Sequence, residues 1–532
     1  MDISYQSLAF SKLHFLFLML CCLNFSSFAD TNTFLQCLSR TLTPNQFANT
    51  VYTPKNANYT LILKAYIRNG RFNTSSTPKP TIIVTPWLSS QVQAIVRCAN
   101  RTNTQLRIRS GGHDYEGLSY TSKTPFAILD MFKLRSIEIN LDDETAWAQA
   151  GATLGELYYK IWEKSKVHAF PAGVCPTIGL GGHISGGGYG ILLRKYGLSV
   201  DNLVDAKIVD TKGRVLDRKG MGEDVFWAIQ GGGGASFGII LAYKIKLVRV
   251  PPVVTIFQVP RTLEENATDL VHRWQYVTDK ADKNLFLRVF LQPTTLNSTK
   301  TVTALFTIMF LGDANNLVSL MASTFPELGV KKHDCKEMSW IKSVLFWADL
   351  PDGTPETALL DRKTMYPTAF KMKSDYVKTP IPKDGLRGVL EKLASMGDVS
   401  MICNPYGGRM SEIPETATAF PHRAGNIYKI QYVLNWDEAG PSVANNKTAK
   451  IRAFYDYMTP FVSKNPREAF LNYRDIDIGS TDHGRDSLAE ARVYGVKYFK
   501  GNFERLVRAK TEIDPGNFFR HEQSIPPLKN YQ

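Results

Sequence analysis

Two patterns of apolar and polar positions divide the chain into regions of different structure. From about residue 45 to residue 250, short apolar runs alternate with amphipathic stretches. Val92, Ile95 and Val96 share one face of a helix. Strands are predicted at 81–84, 106–109, 126–129 and 203–209, and the alternation from Ile239 to Leu247 predicts a half-buried strand. This region is therefore predicted to be an α/β unit.

The pattern changes after Pro251-Pro252, which mark a boundary. The elements beyond it are longer: Leu270, Trp274 and Val277 predict a helix, and the alternation over 302–310 predicts a strand. We expect a second domain of α+β type over 251–471. A C-terminal segment, 472–532, has a helix over 502–510 and is expected to pack back on the first unit.

The N-terminus has the pattern of a secretory signal peptide. Lys12 precedes an apolar run over 13–23, and Ser27-Phe28-Ala29 supplies small residues before Asp30. The run is shorter than the roughly 20 residues that a membrane span needs. We therefore predict a cleaved signal over 1–29, no membrane span, and delivery through the secretory pathway to the extracellular space, the apoplast or the vacuole.

Composition is consistent with a secreted globular protein. The 44% hydrophobic and 21% charged residues are ordinary for a soluble protein. The formal charge of +14 is scattered without a Lys/Arg-rich block, so no nucleic-acid partner is expected, and a monomer is predicted. Six sequons outside the signal are predicted to be glycosylated, at Asn58, Asn73, Asn100, Asn266, Asn297 and Asn446.

Glycine is concentrated in three places in the α/β unit, at 111–112, 179–190 and 231–234. Glycine lets a backbone approach a ligand closely, and successive free N–H groups bind anions. One such cluster could be a tight turn, but three together favour a pyrophosphate lying along backbone amides. None of them is a G-x-G-x-x-G fingerprint between a strand and a helix.

Two reactive side chains lie in these loops. His113 follows Gly111-Gly112, and Cys175 precedes the loop that begins at Gly179. A free cysteine is most often part of a packed core. A zinc site is the other alternative, but no further ligands stand nearby at zinc spacing, so no metal is expected. Five cysteines remain after the signal peptide is removed. Because this number is odd, at least one sulfur is not in an intramolecular disulfide.

These two loops resemble those of the berberine bridge enzyme-like flavoproteins. So do the run from Gly182 to Gly190 and the segments 222–224, 231–234, 421–423, 472–475 and 517–519, so that the resemblance covers essentially the whole mature chain. The segments 325–329 and 519–527 are most similar to cannabinoid-acid synthases and their mulberry-family relatives.

The resemblance implies an α+β protein of the vanillyl-alcohol-oxidase type. Residues 30–250 would form the N-terminal part of an FAD-binding domain of two α/β subdomains, with a PCMH-type core over about 77–250. Residues 251–471 would form an inserted substrate domain, an antiparallel sheet covered by helices. The berberine-type C-terminal segment, 472–532, would complete the FAD-binding domain.

The resemblance also implies bicovalent FAD, with His113 bonded to the flavin 8α-methyl carbon and Cys175 to C6. Cys37 and Cys98 match the family's disulfide, which leaves Cys335 and Cys403 as buried thiols. Ile178 stands where a valine usually accompanies fast use of oxygen, so slow reoxidation or none is expected. Further FAD-binding residues are expected at Arg109, Ser110, Gly111, Gly112, Gly179, Gly182, His183, Gly186, Asn202, Gly238, Ile239, Asn472 and Asn517.

The resemblance also gives candidates for the catalytic base. Berberine bridge enzyme has a glutamate on the strand that here reads Tyr428 to Tyr432, and this strand has Lys429 and Gln431 instead. Relatives that oxidise allylic or benzylic alcohols use a tyrosine beside a lysine, which predicts Tyr189 as base and Lys429 as its cation. The alternative is that Tyr189 only packs and Lys429 faces solvent. Tyr115 and Tyr473 are further candidates at the flavin face.

The function expected from these residues is oxidation of a plant phenolic, terpenoid-phenolic or alkaloid by hydride transfer to FAD, with or without ring closure. Molecular oxygen is a further candidate partner. Two alternatives stay open: a pericyclase such as a Diels–Alderase, in which FAD is structural, and a carbohydrate oxidase or defence protein.

Overall fold

The structure, a computed structural model, describes residues 31–363, 368–483 and 487–528. The predicted signal peptide, 1–29, lies outside the described residues. Within those ranges no helix has both the length and the apolar character that crossing a membrane requires.

The first sheet has four strands in the order β1-β2-β4-β3. Strands β2, β4 and β3 are parallel, and β1 pairs with β2 in the antiparallel sense. The strands are β1 (Val51–Tyr52), β2 (Ile82–Val84), β3 (Leu106–Arg109) and β4 (Ala127–Asp130), and the helices of this region are α1 (31–41), α2 (Pro44–Thr50), α3 (Tyr59–Ala65) and α4 (Ser89–Arg101).

The second sheet has five antiparallel strands in the order β5-β6-β10-β8-β9, and a short pair, β7 with β11, lies beside it. Its strands are β5 (Ile137–Asn140), β6 (Thr145–Gln149), β8 (Leu203–Val209), β9 (Val215–Leu216) and β10 (Ile239–Lys246), and the short pair is β7 (His168–Ala169) and β11 (Val248–Arg249). The helices are α5 (Leu154–Lys164), α6 (Leu180–Ser185), α7 (Leu193–Tyr196) and α8 (Arg218–Ala228).

The third sheet has seven antiparallel strands in the order β15-β12-β14-β13-β17-β18-β16. They are β12 (Val254–Thr262), β13 (Leu285–Leu296), β14 (Thr299–Phe310), β15 (Lys336–Met338), β16 (Ala369–Val377), β17 (Ser400–Pro405) and β18 (Tyr428–Trp436). The helices from here on are α9 (Ala267–Val277), α10 (Ala314–Thr324), α11 (Trp340–Trp347), α12 (Lys383–Met396), α13 (Arg409–Glu412), α14 (Pro441–Tyr457), α15 (Ser487–Phe499) and α16 (Phe503–Ile513).

The predicted α+β class, with an antiparallel sheet in the inserted region, is confirmed. Strands β3 and β8 have the predicted limits, while β4 begins and ends one residue later than predicted. The C-terminal helix α16 packs on α8, so the end of the chain returns to the first unit. The domain limits at 250 and 472 stay a prediction.

The cysteines divide as predicted, with one correction. Cys37 and Cys98 form a disulfide that joins α1 to α4. Cys403 is 2% exposed and buried in the core over the third sheet. Cys335, predicted to be buried, is half-exposed, because its short segment lies at the surface beside the edge strand β15. All six predicted glycosylation sites lie at exposed positions.

Replacing Cys37 and Cys98 together with serine is expected to lower the free energy of unfolding by about 4 kcal/mol. The disulfide closes a loop of 61 residues, and opening it restores the conformational entropy of the unfolded chain. Denaturant unfolding, followed by circular dichroism of the whole protein, measures the effect. Cys335→Ser is the matched control because its thiol is not bonded. An unfolding midpoint equal to that of this control would contradict the prediction.

Candidate active site

A cavity of about 500 Å³ lies between the glycine loops and the third sheet. The structure brings most of the predicted site residues together around it. Those that line it are Ser110, Gly111, Gly112, His113, Tyr115, Cys175, Ile178, Gly179, Gly182, His183, Gly186, Tyr189, Gly238, Gln431, Asn472 and Tyr473.

Glycine allows the two reactive loops to touch through their backbones. A Cβ on Gly111 would lie 2.3 Å from the nitrogen of Gly179, and a Cβ on Gly179 would lie 2.1 Å from Oγ of Ser110. Contacts this short exclude any side chain at either position. His113 Nε2 and Thr177 Oγ1 are 2.9 Å apart across this contact. The close approach therefore puts His113 and Cys175 on one wall of the cavity.

Burial shifts the pKa values of His113 and Cys175 in opposite directions. Burial, and then the charge of Arg68, lowers the pKa of His113 to about 3, so its imidazole is neutral at neutral pH and has a lone pair to offer. Cys175 is exposed because it faces the cavity, yet the dense protein around it raises the pKa of the thiol, against an opposing effect of Arg288. The arrangement thus provides a neutral nitrogen nucleophile and a thiol beside a guanidinium.

His183 and Asn472 shape the loop after Cys175. Nε2 of His183 accepts a hydrogen bond from the Gly173 N–H at 3.1 Å, and burial lowers the pKa of the imidazole to about 3. A neutral ring that accepts at Nε2 bears its proton on Nδ1. Asn472 donates to the Gly182 carbonyl and accepts from the Gly188 N–H, both at 3.1 Å. Asn472 therefore ties the C-terminal segment to this loop.

A row of polar residues crosses one face of the third sheet. Asn404 and Lys429 are opposite each other in the β17–β18 register, and Nε of Arg288 on β13 donates to Oδ1 of Asn404 at 2.9 Å. The other end of the guanidinium donates from Nη2 to the hydroxyl of Tyr189 at 3.1 Å. The register of three strands thereby presents Arg288 to a tyrosine 99 residues away in the sequence.

Tyr189 and Lys429 meet, but not as predicted. Nζ of Lys429 lies 3.6 Å from the centre of the Tyr189 ring, and the rings of Phe470 and Tyr473 surround it at 3.8 and 4.3 Å. The side chain is fully buried, so it does not face solvent, and it does not line the cavity. Among the described residues its nitrogen has no hydrogen-bond partner. Burial and then Arg288 bring the pKa of Lys429 well below its usual range.

The cation at the Tyr189 hydroxyl is therefore Arg288 and not Lys429. Burial raises the pKa of this phenol, and both the charge and the hydrogen bond of Arg288 lower it. A guanidinium keeps its charge when it is buried more readily than an ammonium does. Arg288 was missed in the sequence, although an arginine inside the apolar run Leu285 to Leu291 was a signal for it.

Tyr115 and Tyr473 form a second aromatic pair in the cavity. Their rings are stacked with centres 5.6 Å apart, and the hydroxyl of Tyr115 accepts a hydrogen bond from Nε2 of Gln431 at 2.8 Å. Burial raises the pKa of both phenols. No cationic group donates to either hydroxyl in the described part of the chain, so Tyr189 has the best-placed phenol.

Four predicted FAD-binding residues lie outside the cavity lining. Arg109 is fully buried and paired with Asp130, and the Asn202 amide donates to the carbonyls of Tyr196 and Leu198. The side chain of Ile239 packs in the core between the first two sheets. The Asn517 amide lies near His483. Oδ1 of Asn517 is buried without a hydrogen-bond partner among the described residues, whereas the polar side chains of Arg109 and Asn202 have partners within the protein. Ile240, not Ile239, reaches the cavity.

The cavity fits FAD on two observations. A Cβ on Gly182 would meet no atom within 4 Å, so this backbone faces open space against which a flat group can lie. Arg107 and Arg474 also line the cavity. Nε and Nη1 of Arg107 and Nη1 of Arg474 are buried without a partner in the described ranges. Free guanidinium nitrogens match phosphate oxygens, as a cofactor with a ring and a pyrophosphate requires.

Comparison with known proteins agrees with this fit. Residues 80–218 match a family described as FAD binding domain, and residues 469–526 match one described as berberine and berberine like. Berberine bridge enzyme-like 21 of Arabidopsis thaliana is 54% identical over 507 residues, which cover 94% of each chain. Tetrahydroberberine oxidase of Berberis wilsoniae is 50% identical and covers 95% of this chain and 96% of its own length.

A solved structure extends the comparison to the fold. The grass pollen allergen Phl p 4, described as having glucose dehydrogenase activity, superposes with a TM-score of 0.88 at 44% identity. The match covers 93% of this chain and all of the allergen chain. The likeness therefore extends over nearly the whole chain.

Proposed function

From the premise that this chain belongs to the berberine bridge enzyme-like family of FAD-dependent oxidoreductases, we propose that it oxidises an aromatic plant metabolite by hydride transfer. The substrate class is a phenolic, a terpenoid-phenolic or an alkaloid. We place the reaction in the cavity between the glycine loops and the third sheet, and the protein in the secretory pathway.

The apolar wall of the cavity is the observation that favours an aromatic substrate. The third sheet presents four apolar side chains to the cavity, Phe370, Met372, Ile402 and Val433, beside the two polar side chains of Arg288 and Gln431. Met372 and Val433 are opposite each other in the β16–β18 register, so they share a face. An apolar wall of this kind stabilises rings, whereas the many hydroxyl groups of a sugar would lose their hydrogen bonds against it.

His113 and Cys175 are the residues that we propose to hold FAD covalently. Bound FAD would supply the hydride acceptor for the reaction. His113 offers a neutral ring nitrogen, and Cys175 offers a thiol whose pKa is raised by burial, an effect that the nearby charge of Arg288 opposes. The assignment of the 8α bond to His113 and of the C6 bond to Cys175 rests on the family resemblance.

Tyr189 is the base that we propose for the substrate proton. A hydride can leave a hydroxyl-bearing carbon only if a proton also leaves, and the strand of Lys429 has no carboxylate to accept it. Arg288 stabilises the phenolate by charge and by a hydrogen bond. Lys429 lies over the same ring and supports its position. Tyr473 is the next candidate because it lies against Lys429 and Tyr115.

Replacing Ile178 with valine is expected to speed reoxidation of the flavin by oxygen by about tenfold or more, since loss of one methylene opens a packed wall. Ile178 lines the cavity three residues after Cys175. Wild-type Phl p 4.0202 is described as a glucose dehydrogenase, and an isoleucine-to-valine variant of this allergen as a glucose oxidase. Rapid mixing of reduced protein with oxygen measures the rate.

Ile402→Val is the matched control for this prediction, because it removes the same methylene from the cavity wall formed by the third sheet. Its reoxidation rate is expected to equal that of the parent protein. Equal reoxidation rates in the parent and in Ile178→Val would contradict the prediction, because they would show that this methylene does not limit the reaction of the reduced flavin with oxygen.

A carbohydrate is the second candidate substrate, favoured by the 44% identity to an allergen with glucose dehydrogenase activity. An anaerobic panel separates the candidates: an aromatic allylic alcohol, a tetrahydroberberine-type alkaloid and glucose are each mixed with the yellow protein. We expect the flavin absorbance to bleach with the alcohol or the alkaloid. Bleaching with glucose alone would assign the protein to the carbohydrate-oxidising members.

A further inference from the structure

A second cavity, of about 440 Å³, lies behind the active site on the other face of strand β16. Phe370 and Met372 face the active site, and the alternation of a strand directs Lys371 and Lys373 to the opposite side. None of the described residues lines both cavities. We call the second cavity the basic pocket; it is lined by Lys373, Arg452, Tyr455, Asp456, Arg467, Asp477, Ile478 and Lys497.

A buried charge network beneath the basic pocket already has more cations than carboxylates. The carboxylates are Glu116, Asp475 and Asp477, and the cations paired with them are Arg71, Lys371, Lys373 and Arg452. Asp477 alone is within 4 Å of three of these cations. Each of these carboxylates is therefore already paired with at least two cations.

Lys497 is a cation of the pocket that is not paired with a carboxylate of this network. Its Nζ donates to the carbonyl of Ile478 at 3.0 Å, and within the described ranges no carboxylate lies within 4 Å of it. An ammonium has three N–H donors. Arg467 does not change the balance, because it forms a two-bond pair with Asp375 at 2.8 and 2.6 Å. The remaining acid of the lining, Asp456, is exposed, so the pocket and its network keep a net positive charge.

Cations on two sides of Lys497 repel it, whereas Asp475 attracts it. Burial lowers the pKa of Lys497, Asp475 opposes this effect, and Arg467 and Lys373 add to it. Other cations thus face Lys497 from strand β16 and from the segment before the C-terminal region. An anion placed among them would relieve this repulsion and satisfy the free N–H groups of the ammonium.

We propose that the basic pocket binds a small oxyanion, either a phosphate or a carboxylate group, with Lys497, Arg452 and Arg467 as its charged lining. The site is separate from the flavin cavity and from the proposed oxidation. Its ligand chemistry is that of a free inorganic anion or of the acidic group of a small metabolite.

Calorimetric titration of the flavin-bearing protein with inorganic phosphate and, separately, with acetate tests the proposal. Chloride keeps the ionic strength constant in every sample. We expect saturable binding of at least one of the two anions. Lys497→Met should weaken it about tenfold or more, as for loss of one hydrogen bond to a charged group.

Arg492→Met is the matched control. Arg492 lies on α15, as Lys497 does, but it is exposed outside the pocket, so this variant removes one positive charge without changing the pocket. It should bind the anion as the parent does, and the yellow colour of both variants reports that they fold. Binding of phosphate alone or of acetate as well identifies the group. Absence of saturable binding, or equal weakening in both variants, would overturn the proposal.

Discussion

Tyr189→Phe is expected to slow flavin reduction by the best substrate by about 10²-fold or more, the usual scale for loss of a general base. The variant removes the hydroxyl that accepts a hydrogen bond from Arg288, and it keeps the ring that packs against Lys429 and Phe470. Rapid anaerobic mixing, followed at the visible absorbance of the flavin, measures the rate directly.

Tyr115→Phe is the matched control for this variant. It also removes one hydroxyl from the cavity, but that hydroxyl accepts from Gln431, and among the described residues no cation donates to it. We expect it to change the rate far less than Tyr189→Phe does. If the flavin of Tyr189→Phe is reduced at the parent rate, Tyr189 is not the base, and Tyr473 becomes the next candidate.

The pH profile distinguishes a base from a packing residue. Burial raises the pKa of Tyr189 and Arg288 opposes this effect, so Arg288→Met should raise that pKa further. The phenolate then forms only at higher pH, and the rising limb of the reduction rate should move upward. Arg288→Lys, which keeps a charge, should move it less. If Arg288→Met has the same pH dependence of the flavin reduction rate as the parent, Arg288 does not act on the Tyr189 phenol.

Replacing both His113 and Cys175 with alanine is expected to abolish covalent attachment of the flavin. Each single variant should keep the flavin on the other residue, since the two side chains come from separate loops and would each form their own bond. Acid precipitation followed by mass spectrometry of the peptides measures the attached fraction. The parent protein should stay yellow in the precipitate, and the double variant should lose its colour to the supernatant.

Thr177→Val is the control for this experiment. It removes the hydroxyl that lies 2.9 Å from Nε2 of His113 but leaves both nucleophiles in place. Covalent flavin should persist in it. A parent protein that released all of its flavin into the acid supernatant would contradict the bicovalent proposal, whatever the variants did.

The glycine loops show what could be predicted from the sequence. The limits of β3 and β8 follow from short stretches of apolar residues interrupted by charged ones, each followed by a polar residue. His113 and Cys175 stand out because each lies in a glycine-rich loop. The chemistry in these cases is local in the chain. Their meeting at one cavity wall depends on close backbone approach, which the glycine pattern indicates in advance.

Arg288 shows why the other half of the site could not be predicted. The pairing of β13 with β17 and of β17 with β18 places Arg288 beside Asn404 and in the same row as Lys429, and register is a property of the folded sheet. Its contact with Tyr189 then depends on how a distant loop packs on that sheet. For the same reason the sequence suggested that Lys429 acts at the phenol oxygen, whereas the ammonium lies over the ring. Residue types indicated an aromatic and cationic site, but not which atoms meet.

The mass of the product and the colour of the flavin, read in one anaerobic sample, test the central claim most directly. The proposed oxidation removes a hydride and a proton from the substrate, so each flavin that bleaches should yield one product molecule lighter by two hydrogens. A product of unchanged mass formed while the flavin stays oxidised would contradict the oxidation and identify a pericyclase.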